Sequence, residues 1–282
     1  MPAELLLRRG LVDDVGDRHR RVALRPLAGR DEARLADRDD ALVAQSDEDA
    51  VHEVLATCVE RLGGYRDVTP VHVAALSRGD RQRLALALRA LMIGDQLVLT
   101  LRCPRPDCGE LADLELRVSA LLDEGSTDAP AEPEWWTVDT PAGKLRLRTP
   151  TGADDEALAA LAGSPAERAA AFWNRLIDAD WAALDTTSRQ LLARTLAGSG
   201  SLPDLTFASP CPACRALLEL ELNPFDLLVR ELALGTDRLL AEVHCLAFHY
   251  GWSEDAILGL PRARRWRYLE LLRQQLDGRP LV

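Results

Sequence analysis

Lysine is almost missing from this sequence: Lys144 is the only one in 282 residues. Acidic side chains number 45 and the net charge is −11. A general nucleic-acid binder needs a basic face to displace counterions from phosphate, so this balance argues against one, although a local basic patch is still allowed. The positive charge is nearly all arginine, which reads as the mark of a GC-rich genome rather than of chemistry. Long apolar runs are missing too. The richest stretch, Leu84 to Leu101, is broken by Arg89 and Asp95 and falls short of the ~18 uninterrupted apolar residues of a membrane helix. The start, Met1 to Arg9, meets charge too early for a secretory signal. These absences point to a cytoplasmic protein with no membrane and no nucleic acid among its partners.

Catalytic motifs are absent as well. There is no G-x-x-x-x-G-K-[ST] phosphate loop, no H-E-x-x-H and no G-x-S-x-G elbow. Gly198-Ser-Gly200 reads as a flexible turn. His19, His52 and His72 stand in no motif, and no histidine accompanies a Ser or Cys nucleophile. The chain is expected not to be an enzyme.

What is present is a pair of cysteine pairs. Cys103 and Cys108 lie between strand-like runs ending at Leu101 and starting at Leu111, and Cys211 and Cys214 lie between similar runs around Ser209 and Leu217. Each pair reads as a knuckle at the tip of a hairpin. Four thiolates from two knuckles are the ligand set of a closed, tetrahedral structural zinc site. A reducing compartment favours metal over disulfides. The Cys-x2-Cys spacing at 211 and 214 suits a knuckle well; the four residues between Cys103 and Cys108 are permitted but less ideal. The alternatives are two incomplete sites or reduced cysteines left from an ancestral one. Cys58 reads as a small core residue. Cys245 and His249 share a helix face, but sit among Leu246, Ala247 and Phe248 with no further ligand nearby.

The knuckles belong to a longer repeat. Leu24, Arg25, Gly29, Asp31 and Leu35 recur as Leu147, Arg148, Gly152, Asp154 and Leu158, at a constant spacing of 123 residues. Asp80-Arg-Gln-Arg-Leu-Ala85 resembles Ser188-Arg-Gln-Leu-Leu-Ala193. Each copy reads as strand, glycine turn, helices, strand, knuckle, strand. Acidic residues after each glycine suit a helix N-terminus. Leu84, Leu88 and Leu91 share one helical face, and Gly94-Asp95 ends that helix. The expected fold is α+β: an internally duplicated domain with paired zinc-knuckle hairpins, followed by a helical C-terminal segment. The divisions are an N-terminal segment 1–20, a first repeat 21–125, a linker 126–142, a second repeat 143–228 and a helical segment 229–282. Trp135-Trp136 reads as a strand pair with one ring in the core.

In the helical segment, Leu240, Val243, Ala247 and Tyr250 are expected on one buried face, with Gly251 as the stop and Ser253 capping the next helix. Pro261 breaks that helix, and Arg262 to Leu276 forms another, with Trp266, Leu269 and Leu276 on one face and arginines around them. Such a helix either packs back on the chain or binds a protein, since Trp and Arg are enriched at interface hot spots.

Taken in order, several of these segments resemble a known family. They are Val22 to Glu32, Leu76 to Arg89, Gly94-Asp95, the Cys-Pro knuckle and the tail Ala247 to Trp266. Together they are similar to the T-even-phage-type baseplate hub assembly chaperones encoded with phage-tail-like contractile injection systems. The resemblance implies a non-enzymatic protein that helps to build a baseplate or central hub. It also implies that the C-terminal helices engage a tail baseplate or hub protein, with Trp252, Arg262, Arg265, Trp266 and Leu269 as contact residues. In the second copy Ala197 to Leu202 replaces the Gly-Asp segment, which departs from the pattern. The alternative function is a zinc-ribbon adaptor that binds nucleic acid or the transcription machinery. The acidic balance, and the lack of basic residues beside Cys211 to Cys214 apart from Arg215, favour the first.

Overall fold

The computed structural model describes residues 3–36, 48–123, 135–198, 205–232 and 236–278. Most of the expected linker, and the Gly198-Ser-Gly200 turn beyond Gly198, lie outside the described residues. The fold is mixed α+β with small antiparallel sheets. No helix among the described residues is long and apolar enough to cross a membrane.

Strands β1 (Ala3–Val12) and β2 (Arg18–Leu24) form a hairpin, and β3 (Val59–Leu62) adds to β2. The first 20 residues are therefore largely part of this sheet rather than a separate segment. The Asp13 carboxylate tightens the turn by accepting the N–H groups of Val15 and Asp17 at 3.1 and 2.8 Å. Helices α1 (Gly29–Ala36), α2 (Glu48–Cys58), α3 (Pro70–Ala74) and α4 (Arg78–Ile93) follow. In α4, Leu84 and Leu88 are buried and Leu91 packs at the edge of the core, as their spacing requires. The helix begins at Ser77, whose hydroxyl accepts the Asp80 N–H, and ends at Gly94, whose φ of 123° suits glycine.

Asp80 has a larger role than capping. Its carboxylate is buried and accepts the N–H groups of Arg8, Arg9 and Gly10 at 2.7, 3.1 and 2.7 Å. This ties α4 to β1 where the strand register shifts and its own ladder is interrupted.

The hairpin β4 (Gln96–Arg102) and β5 (Leu111–Arg117) leads into α5 (Val118–Asp123). A second hairpin, β6 (Trp135–Thr140) and β7 (Gly143–Arg148), starts inside the segment expected to be linker. Trp136 packs into the core beneath it and Trp135 lies under the Arg146 guanidinium at 4.5 Å. Next come α6 (Gly152–Ala159), α7 (Pro165–Leu176), a 3-10 turn (Trp181–Ala183) and α8 (Thr186–Gly198). Leu145, Leu147, Leu176 and Leu192 centre their core. A last hairpin, β8 (Thr206–Pro210) and β9 (Leu217–Glu221), precedes α9 (Pro224–Leu232). Phe225, Leu228 and Leu232 of α9 fill the first core, and Arg89 of α4 forks onto Glu231 of α9 at 2.7 and 2.9 Å. The two halves are thus packed into each other.

The glycine turns that follow β2 and β7 are built alike. Arg25 makes a two-pronged ion pair with Asp31 at 2.6 and 3.2 Å, and Arg148 does so with Asp154 at 2.6 and 2.7 Å. Asp31 also accepts the Ala28 N–H, and Asp154 the Thr151 N–H, each at 2.9 Å. Leu24 pairs with Val59 after α2, and Leu147 bridges Ile177 after α7. The acidic residues expected to oppose a helix dipole act chiefly as clamps on the preceding strand.

The C-terminal helices are α10 (Thr236–Tyr250), α11 (Glu254–Leu258) and α12 (Arg262–Leu276). Gly251, at φ 68°, stops α10 and Ser253 caps α11 as expected. The buried residues of α10 are Leu239, Glu242, Val243 and Leu246, with Ala247 and Tyr250 packed at the edge of the same cluster; of the expected face only Leu240 is exposed. The reason is Glu242, which must point inward to meet Arg265 at 2.9 Å. Arg265 also reaches Glu32 at 2.8 Å, and Arg262 reaches the same carboxylate at 2.7 Å. Arg262 and Arg265 are 3% and 0% exposed. These two residues, expected to contact a partner, are instead an internal clamp: their guanidinium groups are desolvated and need carboxylates within the fold.

Two outcomes follow. Glu32→Ala takes from Arg262 its carboxylate and from Arg265 one of its two, and should cost about 3–5 kcal/mol in urea unfolding, whereas Arg264→Ala, on the exposed side, should stay within about 0.5 kcal/mol; equal effects would contradict the clamp. Burial pushes the Asp154 carboxyl up, but Arg148, the Thr151 N–H and Arg175 outweigh it and hold it at about 2, below its usual 3.8. Because the folded value is depressed, this stabilisation is complete above the unfolded value and is lost as pH falls through about 2. The stability gap between wild type and Asp154→Asn should therefore shrink between about pH 4 and pH 2. A gap that stays constant across that range would contradict it.

Candidate metal centre

Each cysteine pair sits where a hairpin turns. Cys103 follows β4, and its N–H donates to the Glu110 carbonyl at 2.8 Å; Cys211 follows β8, and its N–H donates to the Ala216 carbonyl at 2.8 Å. Each turn closes with a residue in the left-handed region, Gly109 at φ 61° and Arg215 at φ 64°. That conformation suits glycine, and an arginine holds it only where the surrounding turn enforces it. Here the Arg215 N–H bonds the Cys211 carbonyl at 3.0 Å. The longer first turn is braced by Arg105, whose guanidinium pairs with Asp107 at 3.1 Å.

The two tips meet. Cys103 Sγ lies 3.6 Å from Cys214 Sγ, and Cys108 Sγ lies 3.8 Å from Cys211 Sγ. All four sulfurs are within 4.8 Å of one another. The first cysteine of each pair faces the second of the other, the arrangement a local two-fold relation produces. A tetrahedral ion with metal–sulfur bonds of about 2.3 Å needs sulfur–sulfur separations of about 3.8 Å. The four thiols can therefore hold a metal ion with little movement. Around them Leu101, Ala112, Ala216 and Leu218 form an apolar shell. Apart from the sulfurs, no carboxylate or imidazole among the described residues joins the group.

The thiols are electrostatically unequal. Backbone N–H groups of Cys214 and Ala213 draw the Cys211 thiol down to about 7, against the opposing effect of burial. The backbone N–H near Arg105 favours a Cys103 thiolate, but burial and sharing of protons with the other three sulfurs push Cys103 up to about 12. Four thiols this close cannot all ionise without a cation between them.

Cys58 ends α2 fully buried, and burial pushes its thiol up. Cys245 and His249 share α10 and belong to no metal-ligating group among the described residues. Trp252 packs between Tyr250 and Tyr268, with ring centroids at 5.0 and 4.8 Å. Its role is at the α10–α11 corner. Trp266 and Leu269 do reach a surface: with Arg238, Ala241, Glu242, Glu270 and Arg273 they line an open groove of about 640 Å³ between α10 and α12. The Trp266 indole N–H donates to Glu242 at 2.8 Å, and Arg238 lies 4.7 Å over the ring. Sequence reading took Glu32 as an acid at a helix N-terminus and Asp80 as part of the repeat, and did not single out Glu242; the buried role of the three was missed. The signal that could have found them is an acidic residue at a helix position that otherwise reads as buried.

Comparison with protein-family models, curated proteins and solved structures finds no match for this chain.

Metal analysis tests the centre directly. Purified chain should carry one equivalent of metal per four thiols at this site, and Cys211→Ser should lose it and lower the melting temperature. Cys58→Ser and Cys245→Ser should keep the metal. Full metal content in Cys211→Ser would remove the centre from consideration.

Proposed function

We propose that this chain is a non-enzymatic assembly chaperone or baseplate-associated factor of a phage-tail-like contractile injection system. It is built as an internal duplication and locked by one structural zinc ion. The observation that carries the reading is the α10–α12 groove. Trp266 and Leu269 supply apolar surface there, between the charged rims of Arg238, Arg273 and Glu270, which is the composition of a protein-docking site. The client class comes from the resemblance of the chain to baseplate hub assembly chaperones.

Zinc is favoured among metals because four thiolates in a tetrahedral, redox-silent setting are its structural ligand set. Four protein ligands leave no open position for substrate, so the ion stabilises and does not catalyse. The duplication is supported by the paired clamps Arg25–Asp31 and Arg148–Asp154 and by the matching knuckle hydrogen bonds. Zinc then joins the two copies at their tips.

The test is a cross-linked pull-down of the tagged chain from its own cells, with mass spectrometry of co-purifying proteins. Baseplate, hub, spike or tube proteins are expected. Ala241→Arg, an exposed change that fills the groove, should deplete them at least about tenfold while leaving metal content and melting temperature unchanged. Recovery of polymerase subunits or nucleic acid in their place would replace this reading with the zinc-ribbon adaptor.

A further inference from the structure

Three helical units in this chain share one pattern. The first is α2–α3–α4, with Val73-Ala-Ala-Leu76-Ser77 leading to Arg81-Gln-Arg-Leu84-Ala85. The second is α7, the 3-10 turn and α8, with Trp181-Ala-Ala-Leu184-Asp185 leading to Arg189-Gln-Leu-Leu192-Ala193. The third is α10–α11–α12, with Ile257-Leu-Gly-Leu260-Pro261 leading to Arg265. In each, the fourth residue of the last helix is an arginine: Arg81, Arg189 and Arg265.

Two of the three receive a glycine turn. The turn after β7 sits on the first unit: Thr151 bridges Ser77, the Gly152 N–H points at the Leu76 carbonyl at 3.4 Å, and Asp155 meets Arg81 at 2.5 Å. The turn after β2 sits on the third unit in the same way. Ala28 bridges Pro261, the Gly29 N–H donates to the Leu260 carbonyl at 3.1 Å, and Glu32 meets Arg265 at 2.8 Å. Glycine suits both turns because a Cβ would stand only 3.0 Å from the helical backbone, at Ala74 and at Leu258. The turns share the sequence Arg-x-x-x-Gly-x-Asp-[Asp/Glu], at Arg25 to Glu32 and Arg148 to Asp155.

The second unit receives no such glycine turn among the described residues; Ala142 of the β6–β7 turn reaches only its Ser188, at 3.4 Å. Where Ala74 and Ser77 are buried, their counterparts Ala182 and Asp185 are exposed. Where Arg81 and Arg265 are fully buried on carboxylates, Arg189 is partly exposed. Its guanidinium donates to the Trp181 and Ala182 carbonyls at 3.1 and 3.0 Å and lies 5.4 Å over the Trp181 ring. No carboxylate among the described residues pairs with it. The Asp185 carboxylate is turned back onto Ser188, accepting its N–H and hydroxyl at 2.9 and 2.6 Å, so it is not the partner of Arg189.

We propose that this face, formed by Ala182, Asp185 and Arg189, is a vacant receptor for a strand–turn–helix segment of another protein. The segment carries the signature Arg-x-x-x-Gly-x-Asp-[Asp/Glu]. Three receptors and two turns leave one receptor over. A second copy of this chain is not the occupant, because both of its turns are already engaged. The incoming glycine packs against Ala182, and the second acidic residue pairs with Arg189 from the side its own carbonyls leave open. The proposal rests on the repeated-unit part of the reading above and not on the identity of the client at the groove.

A photo-cross-linker at Thr186 of the full chain, expressed in its own cells, tests it. Thr186 is exposed and corresponds to Arg78, whose N–H points at the Pro150 carbonyl at 3.4 Å. The expected product is an intermolecular adduct whose partner peptide contains the signature turn. Ala182→Arg and Arg189→Glu should each reduce it at least about tenfold, while Arg194→Glu, elsewhere on α8, should not. Ala182→Arg touches only exposed surface, so it remains decisive if Arg189→Glu misfolds. No intermolecular adduct, a partner peptide without the signature, or an adduct indifferent to Ala182→Arg would overturn the proposal. The same cross-linker at Arg78 should give an intrachain adduct near Pro150; its absence would locate the fault in the repeated-unit reading. Ala241→Arg should leave the Thr186 adduct in place even where it removes the groove's client.

Discussion

A guanidinium taken out of water must be given carboxylate or carbonyl oxygens in return, and that requirement decides which parts of this chain can sit against each other. Arg265 is fully buried because Glu32 and Glu242 approach it from two different helices. Arg81 is fully buried because Asp155 and His52 do the same from α6 and α2. In each case the carboxylate arrives on a glycine turn, and the glycine lets backbone meet backbone closely enough for the ion pair to form. The hydrophobic clusters supply most of the favourable burial, but they do not by themselves specify partners. The charge pairs do, since a wrong pairing would leave a desolvated charge alone.

The four-cysteine cluster bears on a different mechanical problem. The two cysteine hairpins are two-stranded, and an isolated two-stranded hairpin is marginally stable in water. Their roots pack on one another through Leu97, Val118, Leu205 and Leu222. Their tips have little apolar surface beyond the sulfurs and a few small side chains. An ion bound by four thiolates would fix the tips at small cost in residues. It would also explain why the cysteine turns differ in length while their backbone bonds match: sulfur positions are constrained, loop content is not.

Sequence reading reached the four-cysteine cluster well because cysteine is rare here and its spacing carries chemical meaning. It reached the strands flanking Cys103 and Cys211, the α4 core face and the Gly251–Ser253 corner for similar reasons: alternation, helical spacing and caps are local signals. It failed where a side chain's role depends on a residue far along the chain. Arg262 and Arg265 looked like a basic surface because nothing nearby neutralises them; their partner Glu32 lies about 230 residues earlier. Leu240 was misplaced on α10 for the same cause, since Glu242 counts as polar until Arg265 is known to be beneath it. Strand β1 was missed because Leu5 to Arg9 does not alternate cleanly, and its hydrogen bonds are completed partly by Asp80.

The arginine bias takes on a different meaning in this light. As composition it looked like a genomic habit, and at exposed positions such as Arg264 nothing in the fold contradicts that. At Arg25, Arg89, Arg148, Arg262 and Arg265 the planar fork makes two or more directed bonds that a lysine ammonium could not reproduce at once. Arginine also keeps its charge at any pH the protein meets. The buried pairs therefore respond to pH only through their carboxylates, and Asp154 shows how far into acid that response is displaced. A chain that joins its distant segments through such pairs should hold them together across neutral and mildly acidic conditions. It should come apart in strong acid by releasing whole helical units at their glycine turns, with the cores of each unit failing later.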